Sequence, residues 1–503
     1  MKAERYLYRR QFIIGPEKIS RFHHWHQSGL PDDSYIHVHP DLYCMVARRN
    51  KDFIALIGFI LDPFHTSRNN AQIMTDMLKS CKSIDDLFRY LEPTGGRYVI
   101  FAGLGDQKIM VCDPAGFRQL FYMRDSRGRV WVASQPSLLS EVFPLKVDEA
   151  LERDLYSLPL FANTHEYWYP GELSAYSGVK HLIPNHYLDL NLLKQVRYWP
   201  KEKLHEESVE DCVEKCSEIL RGLYSSIIQR RYKLAQGITA GLDSRIILAA
   251  SREVGSGIEY LTHTHAGLGL KGADIMIPSM MLPELGLEHK IVVHYEMMEK
   301  EFERIYRRNV CTARYGHGLN AYAFHRYFSE QGKERVLING VCGEITRGFY
   351  YLPALVPVNG VTLCSLTRMR GSRLALEQFE NWLQSTRDVS RESGVSLLDL
   401  FYWEQRVGSW AAMSYSEYDI AFESFSPMNC RLFLSTMMGV KKNYRQTVDT
   451  YLHRALIKRM WPEALNYVIN PPQKMGGKII RKMKRTPLHG IIKTIKYLRY
   501  SGF

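Results

Sequence analysis

The sequence contains no hydrophobic run long enough to cross a bilayer. Its longest apolar stretch, Ile54 to Leu61, lies between Asp52 and Asp62. That is far short of the roughly 20 residues a spanning helix needs, and it reads as a buried strand. No apolar core follows the basic start MKAERYLYRRQF, so no secretory signal is expected and the expected setting is cytoplasmic. Cysteine is sparse: nine in 503 residues, none in a CxxC pair, which argues against a disulfide framework. Cys212 and Cys216 are one helical turn apart, a spacing expected for packing. There is no Walker loop, because no Gly-Lys-Ser/Thr follows a spaced glycine. Internal repeats and low-complexity linkers are missing as well. Acidic residues stop at Glu463, whereas nine Lys and Arg fall between Lys474 and Arg499, most of the net charge of +13. This amphipathic basic tail could rest on an anionic surface or cap the domain as a solvated helix. Because the excess is local, it does not mark the rest of the chain as nucleic-acid-binding, and no specific nucleic acid partner is expected.

What is present changes texture along the chain. The first 200 residues are rich in short β-branched and aromatic runs broken by Gly, Pro and Asp, such as FIALIGFIL, GRYVIFAG and KIMVCD. Between them NNAQIMTDMLKSCKSIDDLFRYLE has helical spacing. Past Trp199-Pro200 a long stripe at Val209, Cys212, Val213, Cys216, Ile219, Leu220, Leu223 and Ile227 predicts a helix. Helical segments then alternate with the short apolar runs KLAQGI, IEYLTHTH, KIVVHY and RVLING. Alternation of this kind predicts a parallel sheet with helices on both faces. The boundary is expected near residues 200–206.

The stretch KLAQGITAGLDSRIILAASREVG places a strand over Lys233 to Ile238, a turn over Thr239 to Ser244 and a helix from Arg245. Small residues at Thr239, Ala240 and Gly241 let a ligand approach the backbone. Ser244 falls near a helix start, where the dipole favours an anion. A carboxylate there, Asp243, makes sense beside phosphates if it holds Mg²⁺. The residues predict a pyrophosphate–Mg²⁺ cradle, or else a plain strand-to-helix loop with an Asp/Ser cap.

TAGLDSR resembles the Ser-Gly-Gly-Leu-Asp-Ser pyrophosphatase loop (PP-loop) of the asparagine synthetase family. Five other stretches resemble that family in the same order. Gly95 to Met123 is similar to the Asp-Pro-x-Gly-x-Arg segment of its glutaminase domain. Ser177 to Trp199 is similar to the passage closing that domain. VLINGVCGEITRGFY, AFESFSPMN and NPPQKMGG are similar to three later synthetase segments. The resemblance implies an α/β chain in three parts. Residues 1–203 would form a layered αββα domain of the Ntn-hydrolase type, and 204–475 a doubly wound PP-loop domain of the adenine nucleotide alpha hydrolase type with a helical C-terminal part. Residues 476–503 would be the basic tail. It also implies an ATP-dependent, AMP-forming amide ligase, with Mg²⁺ as a second cofactor. A small-molecule or peptide carboxylate would be adenylated, and ammonia or an amine would then displace AMP. Thr239, Ala240, Gly241, Leu242, Asp243, Ser244, Asn339 and Gly340 match the nucleotide-binding positions. Asp243 and Glu344 match metal ligands. Lys474, with Glu344, matches the catalytic positions, the lysine neutralising the α-phosphate. Asp274 matches a landmark read as structural.

The departures carry information. The family's glutaminase uses an N-terminal cysteine whose α-amine activates the thiol; here Lys2 follows Met1, and Cys44 is the first cysteine. No glutamine hydrolysis is expected, so the nitrogen must come as ammonia, as an amine substrate or from within the same molecule. The last route is that of the related β-lactam and lasso-peptide macrolactam synthetases, though Val341 stands where the former carry a tyrosine. Sugar-acid amidation is another candidate. Ala240 in place of glycine, and Phe425 in place of arginine, leave a second reading open: a non-catalytic binding or assembly protein. Ala240 is expected to crowd the phosphate approach. A PP-loop RNA-modifying enzyme is disfavoured by the N-terminal matches and the missing CxxC.

Overall fold

Between residues 12 and 197 the short apolar runs form twelve strands: β1 (Phe12–Gly15), β2 (His26–Gly29), β3 (Tyr35–Val38), β4 (Cys44–Arg49), β5 (Asp52–Leu61), β6 (Gly95–Leu104), β7 (Gln107–Cys112), β8 (Phe121–Arg124), β9 (Val130–Ala133), β10 (Lys180–His181), β11 (His186–Asp189) and β12 (Lys194–Arg197). The structure is a computed structural model that describes residues 3–159, 161, 168–265, 269–331, 335–353, 355–446 and 450–471. The twelve strands make two antiparallel sheets, in the orders β10-β8-β9-β1-β3-β2 and β12-β11-β7-β6-β5-β4. Strand alternation explains why Ile54 to Leu61 is apolar throughout. Phe53, Ala55 and Ile57 face the other sheet through Phe12, Ile14, Ile36 and Val132. Ile54, Leu56 and Ile60 face the helices Asn70–Ser80 and Ile84–Leu91 through Ile73, Met74, Met77 and Leu87. Both faces of β5 are therefore core, and each large side chain so buried contributes about 1.5–3 kcal/mol. Asn69 and Ser83 start the two helices with capping boxes, which satisfy the otherwise unpaired first-turn N–H groups. The outer face of the first sheet is covered by Tyr8, Ile19, Phe22, Trp25 and the four-residue helix Pro136–Leu139. The expected αββα layering is thus helical on one side and mostly loop on the other among the described residues.

Five parallel strands follow: β13 (Leu234–Gly237), β14 (Ile258–His263), β15 (His289–Val292), β16 (Val336–Ile338) and β17 (Glu423–Phe425), in the order β15-β14-β13-β16-β17. One face packs on the helices Val209–Gln229 and Leu242–Ala250 through Leu223, Tyr224, Ile246 and Ile247. The other packs on Lys300–Asn309 and Tyr315–Glu330 through Phe302, Ile305, Phe324 and Phe328. Cys212 and Cys216 are buried with their sulfurs 3.9 Å apart, packed on the helix Arg431–Gly439. The order reverses between β13 and β16, so their C-terminal ends open the crevice in which doubly wound sheets bind ligands.

The two halves share one core: Phe59, Leu61 and Phe117 join the cluster built by the second half. Leu151, Leu155, Phe161, Trp168 and Tyr169, from the part expected to belong to the first domain, also lie in it. Charge crosses the same boundary. Arg97 lies 2.5 Å from Asp419 and 2.7 Å from Glu423, and Arg118 lies 2.8 Å from Glu423. Among the described residues no helix is long and apolar enough to cross a membrane.

Candidate functional site

The turn after β13 sits at the strand-order reversal. Its backbone is held from within. The Thr239 N–H donates to Ser244 Oγ (3.2 Å), the Ala240 N–H to Asp274 Oδ1 (3.1 Å) and the Gly241 N–H to Thr239 Oγ1 (3.0 Å). The three N–H groups expected to face a ligand thus have partners in the loop and its neighbour. The helix Leu242–Ala250 begins with Gly241 as its cap residue and no side-chain cap. Its first turn is the part of the cradle suited to an anion. Asp274 is structural, as expected, because it fastens the loop.

The side chains sort differently from the sequence matches. Ala240 is 2 % exposed, so its methyl points into the protein and does not crowd the phosphate approach; that expectation is corrected. Leu242 is a core residue, so only its backbone can face a ligand. Thr239 is exposed, Gly241 is half-buried and Ser244 is nearly buried. Asn339 uses its Oδ1 to accept from Tyr415 Oη (2.7 Å) and from the Val341 N–H (3.2 Å). Gly340 packs directly under the helix start, where a Cβ would lie 2.7 Å from the carbonyl carbon of Asp243. A Cβ on Gly343 would lie 2.2 Å from Asp243 Oδ1. Both glycines allow the loop after β16 to close on Asp243.

Asp243 and Glu344 come together through a residue the motif comparison missed. Arg347 Nη2 lies 2.5 Å from Asp243 Oδ2 and 3.7 Å from Glu344 Oε1. Tyr402 Oη donates to Glu344 Oε2 at 3.0 Å. Asp243 Oδ1 is buried without a partner among the described residues. Burial, reinforced by the charge of Glu344, pushes the Asp243 carboxyl up to about 7 against the pull of Arg347. Arg347 lies three residues after Glu344, in the short helix Gly343–Arg347; that offset was the one sequence signal available. Tyr402 opens a π-helix over Tyr402–Ala411, a local widening that no periodicity announced. Lys474 and the basic tail lie outside the described residues. Asn470 donates its N–H to the Ala240 carbonyl at 2.9 Å, so the chain is tied to the loop four residues before that lysine.

The first half holds three cysteines, Cys44, Cys81 and Cys112, and burial disfavours the thiolate of each. Burial pushes Cys44 up to about 12 and Cys81 up to about 11, and Cys112 well above its ordinary range. Tyr8, Arg9, Arg10 and Gln11, which lead into β1, are all buried. Arg9 and Arg10 donate to the Ile420 and Asp419 carbonyls, and Gln11 donates to the Asn309 carbonyl. The segment leading into β1 is therefore packed on the second half.

No family model matches the chain, and no curated protein matches it. Among solved structures it is similar to a U34-tRNA thiolase from Methanococcus maripaludis carrying a [4Fe-4S] cluster, at 13 % identity and a TM-score of 0.25, over 58 % of this chain and 80 % of that one. It is also similar to a glutamine phosphoribosylpyrophosphate amidotransferase from B. subtilis complexed with ADP and GMP, at 13 % identity and 0.24, over 80 % and 88 %. A third is an allosteric regulatory enzyme of purine biosynthesis, at 12 % and 0.25, over 81 % and 90 %. Likeness this distant assigns neither a substrate nor a reaction.

Proposed function

We propose that the chain is an ATP-dependent, AMP-forming amide ligase without glutaminase activity, built on an Ntn-like first half and a PP-loop second half as in the asparagine synthetase family. One observation carries the reading: at the strand-order reversal Asp243 and Glu344 both meet Arg347, and one buried oxygen of Asp243 has no partner among the described residues. An unsatisfied buried carboxylate oxygen is costly unless something cationic meets it. Two carboxylates beside phosphate oxygens are a donor set Mg²⁺ accepts, so the residues present fit the ion. When bound, it would neutralise charge on the leaving pyrophosphate. Asp243 and Glu344 would hold it, the first turn of Leu242–Ala250 would take phosphate oxygens, and Tyr402 would orient Glu344. Lys474 would meet the α-phosphate. The acyl substrate is a small-molecule or peptide carboxylate, and the nitrogen donor is ammonia or an amine.

Incubation with ATP, Mg²⁺, a panel of carboxylic acids and either ammonia or amines tests this. AMP and pyrophosphate should form in equal amounts and only with the cognate acid; Lys474→Ala should lower the rate of that step far more than ATP affinity. Glutamine should yield no glutamate. The observation favouring a non-catalytic descendant is that Arg347 already holds the second oxygen of Asp243. Nucleotide binding without pyrophosphate release across the panel would support that alternative.

A further inference from the structure

Two of the acid–arginine clusters among the described residues differ in their balance. At the boundary between halves, Arg97 and Arg118 face Asp419 and Glu423. At the crevice, Asp243 and Glu344 share Arg347 alone among the described residues. Arg347 stands where an ion bridging the two carboxylates would exert its charge. Its Nη2 reaches one oxygen of Asp243 closely and Glu344 more loosely, and its Nε is buried without a partner among the described residues. Asp243 cannot turn away to meet both demands, because the backbone of Gly340 and Gly343 closes on it.

We infer that Arg347 is a tethered cation that competes with Mg²⁺ for the Asp243–Glu344 pair, setting how much magnesium the cradle needs before it holds a nucleotide. The inference rests on the proposed nucleotide site and adds a regulator to it. Its physical basis is charge. With Arg347 in place an arriving divalent ion must displace a cation that already meets both acids; without Arg347 it competes only with the proton that burial and Glu344 favour on Asp243. Interactions at contact range are strong even at the screened dielectric of a protein crevice. Glycine, or any uncharged side chain at 347, would leave both acids to the metal. Lysine would keep the charge, but its compact, strongly hydrated ammonium lacks the fixed guanidinium geometry that brings Nη2 to both carboxylates.

The test follows ATP binding by equilibrium dialysis at fixed ATP while Mg²⁺ is titrated, in the full chain. Wild type should bind ATP only with Mg²⁺. In Arg347→Gln the half-saturating Mg²⁺ should fall about tenfold, and in Arg347→Lys about threefold, since Lys reaches one carboxylate at a time. Circular dichroism identifies which variants fold. A midpoint unchanged in whichever of the two folds overturns the competition while leaving the nucleotide site standing. A midpoint that rises overturns it too, and makes Arg347 a helper of the metal. Failure of wild type to bind ATP at any Mg²⁺ concentration overturns the nucleotide reading, and this inference with it.

Discussion

The boundary cluster and the crevice cluster use the same side chains to opposite ends. At the boundary, burial alone would raise Glu423, but the guanidinium groups of Arg118 and Arg97 overcome it and hold the carboxyl at about 2. At the crevice, burial wins and Asp243 is pushed up to about 7. The first cluster sets two arginines against two carboxylates, although burial still raises Asp419 within it, and ties β6 of the first half to β17 of the second. The second leaves an Asp243 oxygen without a partner among the described residues, at the C-terminal end of the parallel sheet. The difference separates an ion network in which arginine outweighs burial at Glu423 from one in which burial prevails, the imbalance on which the proposed metal site rests.

The largest expected effect breaks the second cluster. Asp243→Ala should lower Mg²⁺-dependent pyrophosphate release by about a hundredfold or more, the scale of losing a charge-stabilising group in a reaction. Because Asp243 is only partly satisfied in the fold, a urea melt should show stability changed by no more than about 1 kcal/mol. Breaking the first cluster reverses the pattern. Arg97→Ala leaves two buried carboxylates short of a partner and should destabilise the protein by about 3–5 kcal/mol in the same melt. Folded variant should bind ATP with near wild-type affinity.

A smaller effect sharpens the contrast through pH. An acid whose folded pKa is depressed stabilises the fold above its unfolded pKa, and that contribution is lost as pH falls towards the folded value. For Glu423 the window runs from its ordinary 4.5 down to about 2. Glu423→Gln should flatten the fall in stability across it. Asp419, raised by burial, works the other way, so the comparison is between this variant and wild type at each pH. The smallest effect concerns Ala240. Since its methyl is buried, Ala240→Gly should change ATP affinity by less than about twofold, the scale expected away from a ligand contact. A large gain would restore the idea that the methyl obstructs the phosphates.

Much of this was legible in the sequence because it rests on periodicity. The stripe from Val209 to Ile227 is the buried face of a helix, the run from Ile54 to Leu61 is a strand with core on both sides, and four apolar runs of the second half are its first four strands. The fifth strand, Glu423–Phe425, is three residues long, too short to show a period. At the site, the strand–turn–helix with Asp243 could be read from residue type, and the structural reading of Asp274 came with the family resemblance. Arg347, Tyr402 and Tyr415 could not, because each reaches the site by a long-range packing choice. The burial of Ala240 is likewise a long-range packing outcome, in a loop whose backbone is held by Asp274, 34 residues away.

The most direct measurement is amide hydrogen exchange on the full chain, with and without ATP and Mg²⁺ together. The account predicts slowed exchange confined to two stretches, residues 241–246 and 339–344, and absent from both in Asp243→Ala. Unchanged exchange at these two stretches, with protection appearing elsewhere in the chain or nowhere, would contradict it.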